Sequence, residues 1–113
     1  IEAATDKRFI ILDRMLSRRE LCFDDIPQVL FVIMPPENGG NWQVRAVEKR
    51  RGMAAVRLSL PRAWAGKQGR QLIAVTGVPG AYFCHSTRFI ATARTRESAV
   101  AMAKLALNKL DDQ

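Results

Sequence analysis

Reactive side chains are scarce in this 113-residue chain, which holds one histidine, His85, and two cysteines, Cys22 and Cys84. A lone histidine with no Asp/His cluster beside it cannot make a metal site, which takes about three or four protein ligands. The cysteines stand far apart with no CxxC or Cys/His spacing, so neither a disulfide framework nor a zinc site is signalled. Both read as buried free thiols of a reducing cytosol, and the expected location is cytoplasmic. No apolar run approaches the roughly 18 residues of a membrane-spanning helix, so no membrane partner is expected. The opening Ile1-Glu2-Ala3-Ala4 has neither a signal-peptide pattern nor an initiator methionine, and reads as a piece cut from something longer. Internal repeats, low-complexity tracts and linkers are lacking too. Residues 1–113 are therefore expected to form a single domain, burying roughly two-thirds of the surface its unfolded chain exposes.

Acidic residues thin out in the middle. Residues 1–40 carry five Lys/Arg against seven Asp/Glu, residues 41–96 carry eleven against Glu48 alone, and residues 97–113 carry two against three. The middle segment exceeds the whole net charge of +7 by itself. Thirteen of the eighteen cations are arginine, whose planar fork suits phosphate better than a lysine point charge does. A nucleic acid or another polyanion is the natural partner of such a surface. The plainer reading is a solvated surface that keeps a small domain in solution.

Phe9-Ile10-Ile11-Leu12 reads as a buried strand, and Ser17-Arg18-Arg19-Glu20 has the form of a capping box, so a helix is expected there, ended by Pro27. Residues 28–34 are apolar on both faces and stop at Pro35-Pro36, the pattern of a central strand. Glu37-Asn38-Gly39-Gly40-Asn41 is a hairpin signal. In the strand after it, Trp42, Val44 and Ala46 should share the face opposite Gln43, Arg45 and Val47. Lys49-Arg50-Arg51-Gly52 reads as a basic turn, and Val56, Leu58 and Leu60 alternate as a strand would. Pro61 to Gly66 reads as one helical turn with proline at its first position, and Lys67 to Thr76 as a second short helix closed by Gly77-Val78-Pro79-Gly80. Residues 81–86 and 88–92 pair as strands or form one bent strand. Thr95 is the expected N-cap of a helix from Arg96 to about Leu110, with Glu97 in the first turn, where the dipole favours an anion. Ala99, Val100, Met102, Ala103, Ala106, Leu107 and Leu110 make its apolar face, opposite Glu97, Lys104 and Asn108.

Several islands carry a family resemblance: Trp42-Gln43-Val44-Arg45-Ala46-Val47; Arg57-Leu58-Ser59-Leu60-Pro61 with Trp64 and Gly66; Thr76-Gly77-Val78-Pro79-Gly80; Phe83-Cys84-His85 with Phe89-Ile90; and Thr95-Arg96-Glu97 with Ala99, Met102 and Ala103. In this order they resemble the C-terminal domain of the melanocyte-proliferating-gene family, over roughly Phe9 to Leu107. Those proteins are similar to DHH-type phosphoesterases, are described as metal-dependent hydrolases, and include 3′-to-5′ RNA exonucleases. The resemblance implies that the metal-binding His and Asp motifs belong to an N-terminal catalytic domain preceding Ile1, where a divalent metal such as manganese is expected, with no cofactor in this chain. The sequence departs from the family pattern beside His85. A glycine of the usual His-x-x-Gly-Phe-Ile-Gly-Gly run stands here as Arg88, and the glycine pair as Ala91-Thr92. An acidic residue usual after Leu-Pro is Arg62, an acidic pair after the Trp-x-Gly island is Gly69-Arg70, and a Pro-Trp dipeptide near the first helix is Ser17-Arg18. Glycines let backbone approach a ligand; Arg88 could supply by side chain what the glycine supplies by main chain.

His85, at the family's histidine position, is the leading ligand candidate, because an imidazole can hydrogen-bond a phosphate or a base edge. The alternative is a strand-end histidine satisfied by a backbone carbonyl. Arg88, Arg94 and Arg96 could form a cationic rim around it, joined by a helix N-terminus at Thr95, although solvent exposure is the plainer reading of Arg94 and Arg96. Arg45, Lys49, Arg50 and Arg51 could bind a nucleic-acid backbone, or simply form a charged hairpin. Trp42 and Trp64 read as core; with Tyr82 they could instead stack on bases. A catalytic Cys84/His85 pair is not expected, since strand neighbours point to opposite faces.

The expected fold is α+β: a mostly antiparallel sheet of about five strands, with a C-terminal helix and short helices packed on one side. The expected function is that of a substrate-binding C-terminal domain of a DHH-type metal-dependent phosphoesterase or exonuclease, not catalytic alone. Its partners would be the N-terminal catalytic domain and an RNA or nucleotide substrate, bound through His85, Arg88, Arg94, Arg96 and Arg45. The alternatives are a stand-alone basic RNA-binding module and a structural domain that docks on a partner domain or forms a homo-oligomer.

Overall fold

Short runs of β-branched and aromatic residues become the five strands β1 (Phe9–Ile11), β2 (Phe31–Met34), β3 (Trp42–Ala46), β4 (Ala81–Cys84) and β5 (Ile90–Ala93). The computed structural model describes residues 8–16, 23, 26–36, 39–50 and 55–108. The strands make one sheet in the order β1-β2-β3-β5-β4, with β1 parallel to β2 and every other pair antiparallel. A 3-10 turn at Arg62–Trp64 and the helices α1 (Arg70–Thr76) and α2 (Arg96–Asn108) complete an α+β fold. The helix expected from the Ser17 capping box lies outside the described residues, as do Cys22, the tip of the 37–41 turn, Arg51 and Leu110.

Alternation sorts the side chains onto two faces. On one, Phe31, Ile33, Val44, Ala46, Ala91 and Ala93 meet Trp64, Leu72 and the stripe Ala99, Met102, Ala103, Ala106 and Leu107 of α2. All three helical elements among the described residues thus cover the same side of the sheet. On the other face, Val32, Met34 and Val47 pack with Val29, Ile10, Leu12, Met15, Leu16 and Phe23, a cluster that covers the β1–β2 half. Every residue of β2 is buried because it has strand neighbours on both sides and apolar cover on both faces. Val47 stands opposite Val44 and Ala46, as the period-two pattern of β3 requires.

Two expected elements come out differently. Val56, Leu58 and Leu60 form no strand: only a bridge between Glu48 and Val56 appears. The reason is Arg57, whose guanidinium donates to the carbonyls of Phe23, Ile26 and Val29 at 2.7, 2.9 and 2.7 Å. One side chain satisfies three carbonyls and ties Phe23, Ile26 and Val29 to the segment that pairs with Val47–Lys49. The helix expected from Lys67 starts at Arg70, because residues 67–69 pair along the β4 edge instead. Gln68 bridges Phe83, Cys84 N–H donates to the Lys67 carbonyl at 3.0 Å, and Gly69 N–H donates to the Tyr82 carbonyl at 2.9 Å. That strip shields backbone groups an edge strand would otherwise expose.

The island from Thr76 to Gly80 has a structural explanation. Thr76 Oγ1 donates to the Leu72 carbonyl at 2.9 Å and accepts from Val78 N–H at 3.1 Å, while Gly77 takes the left-handed cap of α1 at φ 73°. Thr95 Oγ1 accepts from Ser98 N–H at 3.1 Å and caps α2, as its sequence position foretells. Gly80 lies against that cap: a Cβ there would overlap the Ser98 hydroxyl and lie 2.8 Å from Ser98 Cβ. Gly80→Ala should therefore lower the unfolding free energy by about 1–3 kcal/mol, as overpacking does. Urea unfolding reads this, and an unchanged midpoint would contradict the contact.

Candidate functional site

The turn between β4 and β5 builds the site. His85 N–H donates to the Ile90 carbonyl at 3.0 Å and Arg88 N–H to the His85 carbonyl at 2.9 Å, so residues 85–88 close a tight hairpin. Arg88 holds φ at 65°, and it is the one non-glycine residue with positive φ among those described. This is the position where the family resemblance calls for glycine, and the backbone shows why: a left-handed residue without a Cβ carries no steric cost. Here an arginine takes that conformation and is tied down twice. Its carbonyl accepts from Leu60 N–H at 3.0 Å and its Nη1 donates to the Leu60 carbonyl at 3.1 Å.

Within the turn His85 is held in one orientation. Its Nδ1 accepts from Thr87 N–H at 3.1 Å and lies 2.8 Å from Thr87 Oγ1. A backbone N–H can only donate, so Nδ1 is an acceptor and the neutral ring carries its proton on Nε2. The ring sits edge-on to Phe83 and Phe89, at 6.4 and 4.9 Å between centroids. The histidine is thus anchored by a donor and two rings rather than by a backbone carbonyl, and no described residue engages Nε2.

Arg45 joins it from β3. It pairs with Ile90 across the sheet, and its guanidinium carbon stands 5.3 Å from the centre of the Phe89 ring, within cation–π range. Imidazole, phenyl ring and guanidinium therefore form a row on the face that the described helices leave free. A cavity of about 530 Å³ opens beside the row, with Arg45, Glu48, Ser59 and Thr87 among its polar walls and Val56 and Phe89 among its apolar ones.

The structure brings His85, Arg88 and Arg45 to one end of the sheet but not Arg94 and Arg96. Arg94 N–H donates to the Gly80 carbonyl at 2.8 Å, at the far end of the β4–β5 hairpin, and its guanidinium lies 5.2 Å from the Tyr82 ring centre. Four strand residues at roughly 3.4 Å each separate that end from the turn. The expected cationic rim around His85, with the α2 N-terminus in it, does not form. Lys49 and Arg50 are exposed. Trp64 is fully buried, so it is no stacking platform, and Trp42 is half-buried against the core.

Thr87 and Phe89, which fix the His85 ring, escaped the sequence reading as functional residues. Phe89 lay inside a family island but carried no assigned role. Ser59 and Val56 reach the cavity from a distant segment, and no local pattern signals such a meeting. Among the described residues no three His, Cys, Asp or Glu side chains come together.

Cys84 points to the helix-covered core and is fully buried. Burial pushes its thiol from 9.0 up to about 11, although Arg88 and Lys67 pull the other way. A thiol raised in this way stays protonated at neutral pH. Because the folded pKa is the higher one, the unfolded chain loses this proton first, and stability falls as pH rises from about 9 towards 11. Cys84→Ala should be the less stable protein at pH 7 yet show a shallower loss over that window; equal slopes would contradict the assignment. Arg88→Gly should relieve the left-handed strain while losing the Leu60 bond, whereas Arg88→Ala loses the bond and keeps the strain. The glycine variant is expected to be more stable than the alanine variant by about 1 kcal/mol in urea unfolding, and the reverse order would contradict the turn geometry.

The family model MYG1_exonuc, described as uncharacterised protein family UPF0160, matches residues 2–107. The MYG1 exonuclease of Homo sapiens is 36% identical over 81 residues, covering 72% of this chain and 22% of the human protein. The MYG1 protein of Dictyostelium discoideum is 34% identical over 105 residues, 88% of this chain and 32% of that protein. A MYG1 protein of Schizosaccharomyces pombe is 38% identical over 109 residues, 93% of this chain and 34% of its own length. The chain thus spans about a fifth to a third of the length of these curated relatives. No solved structure matches.

Proposed function

This chain belongs to the MYG1_exonuc family, and from that premise we propose that it is the substrate-binding part of a DHH-type metal-dependent phosphoesterase acting as a 3′-to-5′ RNA exonuclease. The observation that carries the reading is the His85–Thr87 lock. It leaves an imidazole N–H facing away from its anchors, beside an arginine, at one end of a sheet face that no described helix covers. An N–H donor held without rotational freedom is suited to a phosphate oxygen, because little entropy is lost when the bond forms. Arg45 adds positive potential beside it, in the segment where Glu48 is the lone acid against eleven cations. Arg88 acts through the turn: its guanidinium is engaged by Leu60, so it positions His85 rather than leading the contact.

Hydrolysis belongs to an N-terminal catalytic domain outside this chain, and a divalent metal such as manganese held there would activate the water. This chain binds and orients the nucleotide. In the full-length enzyme His85→Ala should raise KM for single-stranded RNA about tenfold, the loss of one hydrogen bond to a charged group, with kcat changed far less. Thr87→Val should raise KM in the same direction by a smaller factor, since the backbone N–H still holds Nδ1. Unaltered kinetics in both variants would remove His85 from the substrate site.

A further inference from the structure

At the end of the β4–β5 hairpin away from His85 stands a second aromatic and arginine pair, Tyr82 with Arg94. We infer that this pair binds a further nucleotide of single-stranded RNA, so that the substrate runs along the sheet face instead of resting at the turn alone. This extends the substrate-binding reading above and rests on it. Both side chains lie outside the core. Ala91 and Ala93 enter it, so alternation puts Arg94 in the outward row of Ile90 and Thr92. In β4 the bulge between Ala81 and Phe83 leaves Tyr82 turned outward and 43% exposed.

The pair has the two groups a nucleotide needs. The Arg94 guanidinium carbon stands 5.2 Å from the Tyr82 ring centre and engages one face of the ring. A ring has two faces, and the exposure of Tyr82 leaves surface for a base, a contact that tolerates any base because each has a π-face. The Arg94 side chain makes no hydrogen bond or ion pair with a described residue, Glu97 of the first α2 turn included, so its planar fork is open to a phosphate. Exposed Arg70 follows Gly69, whose N–H donates to the Tyr82 carbonyl, and adds charge of the same sign at this end. A neutral protein surface would cover the ring but leave the fork unpaired; a nucleotide supplies a flat base and an anion together. Tyr82 and His85 are three strand residues apart, about 10 Å. Stacked nucleotides advance about 3.4 Å each along one strand, so about three of them join the two contacts.

The test compares binding of UMP and of a phosphorothioate-linked uridine hexanucleotide, which resists hydrolysis, to the full-length protein. The hexanucleotide should bind at least about tenfold tighter than UMP. Tyr82→Ala should weaken the hexanucleotide about tenfold, the range seen when a stacking ring is removed, and leave UMP unchanged, while Tyr82→Phe keeps the ring and the affinity. Arg94→Gln should flatten the slope of log K against log salt by about 0.7, one phosphate contact on a single strand. Hexanucleotide binding indifferent to both Tyr82→Ala and Arg94→Gln overturns the inference. An equal loss for UMP and hexanucleotide also overturns it, and makes Tyr82 a contact to another domain. If His85→Ala still weakens UMP in either case, the phosphate reading stands alone. Conversely, a hexanucleotide loss in Tyr82→Ala with none in His85→Ala keeps this site and sinks the His85 contact.

Discussion

Two hydrogen bonds between Arg88 and Leu60, one in each direction, hold the β4–β5 turn to the body of the domain, and every group of the candidate site stands on or against that turn. Leu60 is fully buried at the end of the helix-covered core, so the turn inherits the rigidity of packed interior. His85 and Thr87 lie within the turn, Phe89 follows it, and Arg45 faces Phe89 from the neighbouring strand. The left-handed residue that closes the turn is therefore a site determinant even though its side chain points to a carbonyl of the core. Replacing glycine by arginine there adds a bond to Leu60 that partly offsets the strain of the conformation.

The second constraint is the unequal covering of the sheet. The described helices and 3-10 turn are on one face, and the described residues between β1 and β2, Leu12, Met15, Leu16, Phe23 and Val29, pack on the other, fastened by Arg57. The described residues leave the β3–β5–β4 half, where Gln43, Arg45, Ile90 and Thr92 lie in register and Phe83 pairs with Thr92. A bulge between Ala81 and Phe83 shifts the alternation of β4 so that Ala81 and Cys84 both enter the core. The same bulge leaves Phe83 and His85 to the free face, where their rings meet. Packing thus produces both the protected thiol and the presented imidazole from adjacent residues.

Much of this was legible in the sequence. Apolar runs marked β1 and β2, period-two spacing gave β3 with its two faces, helical spacing the α2 stripe, and Thr95 its helix start, because these depend on residues within a few positions of one another; whether residues 81–92 are two strands or one bent strand was settled by the β4–β5 pairing. The Val56-to-Leu60 segment misled because alternation is also what a chain shows when it crosses a core end, and the decisive bond, from Arg57 to carbonyls about thirty residues away, has no local signature. Arg94 and Arg96 lie close to His85 in sequence but at the opposite end of a hairpin, a separation that strand geometry imposes and linear proximity hides. Family islands pointed to His85, yet Thr87 as its anchor required the turn to be seen. Family membership itself rests on the ordered islands together, which the match over residues 2–107 encloses.

The account turns on one atom, the Nε2 of His85, being a fixed donor held ready for substrate phosphate. Nitrogen-15 NMR of the imidazole in the full-length protein addresses it directly. The structure requires the Nε2-protonated tautomer in the neutral ring, with Nδ1 as acceptor, and adding a nucleoside monophosphate should shift the Nε2 resonance while leaving Nδ1 close to its starting value. An Nδ1-protonated ring, or an Nε2 signal unmoved at saturating nucleotide, would contradict the account.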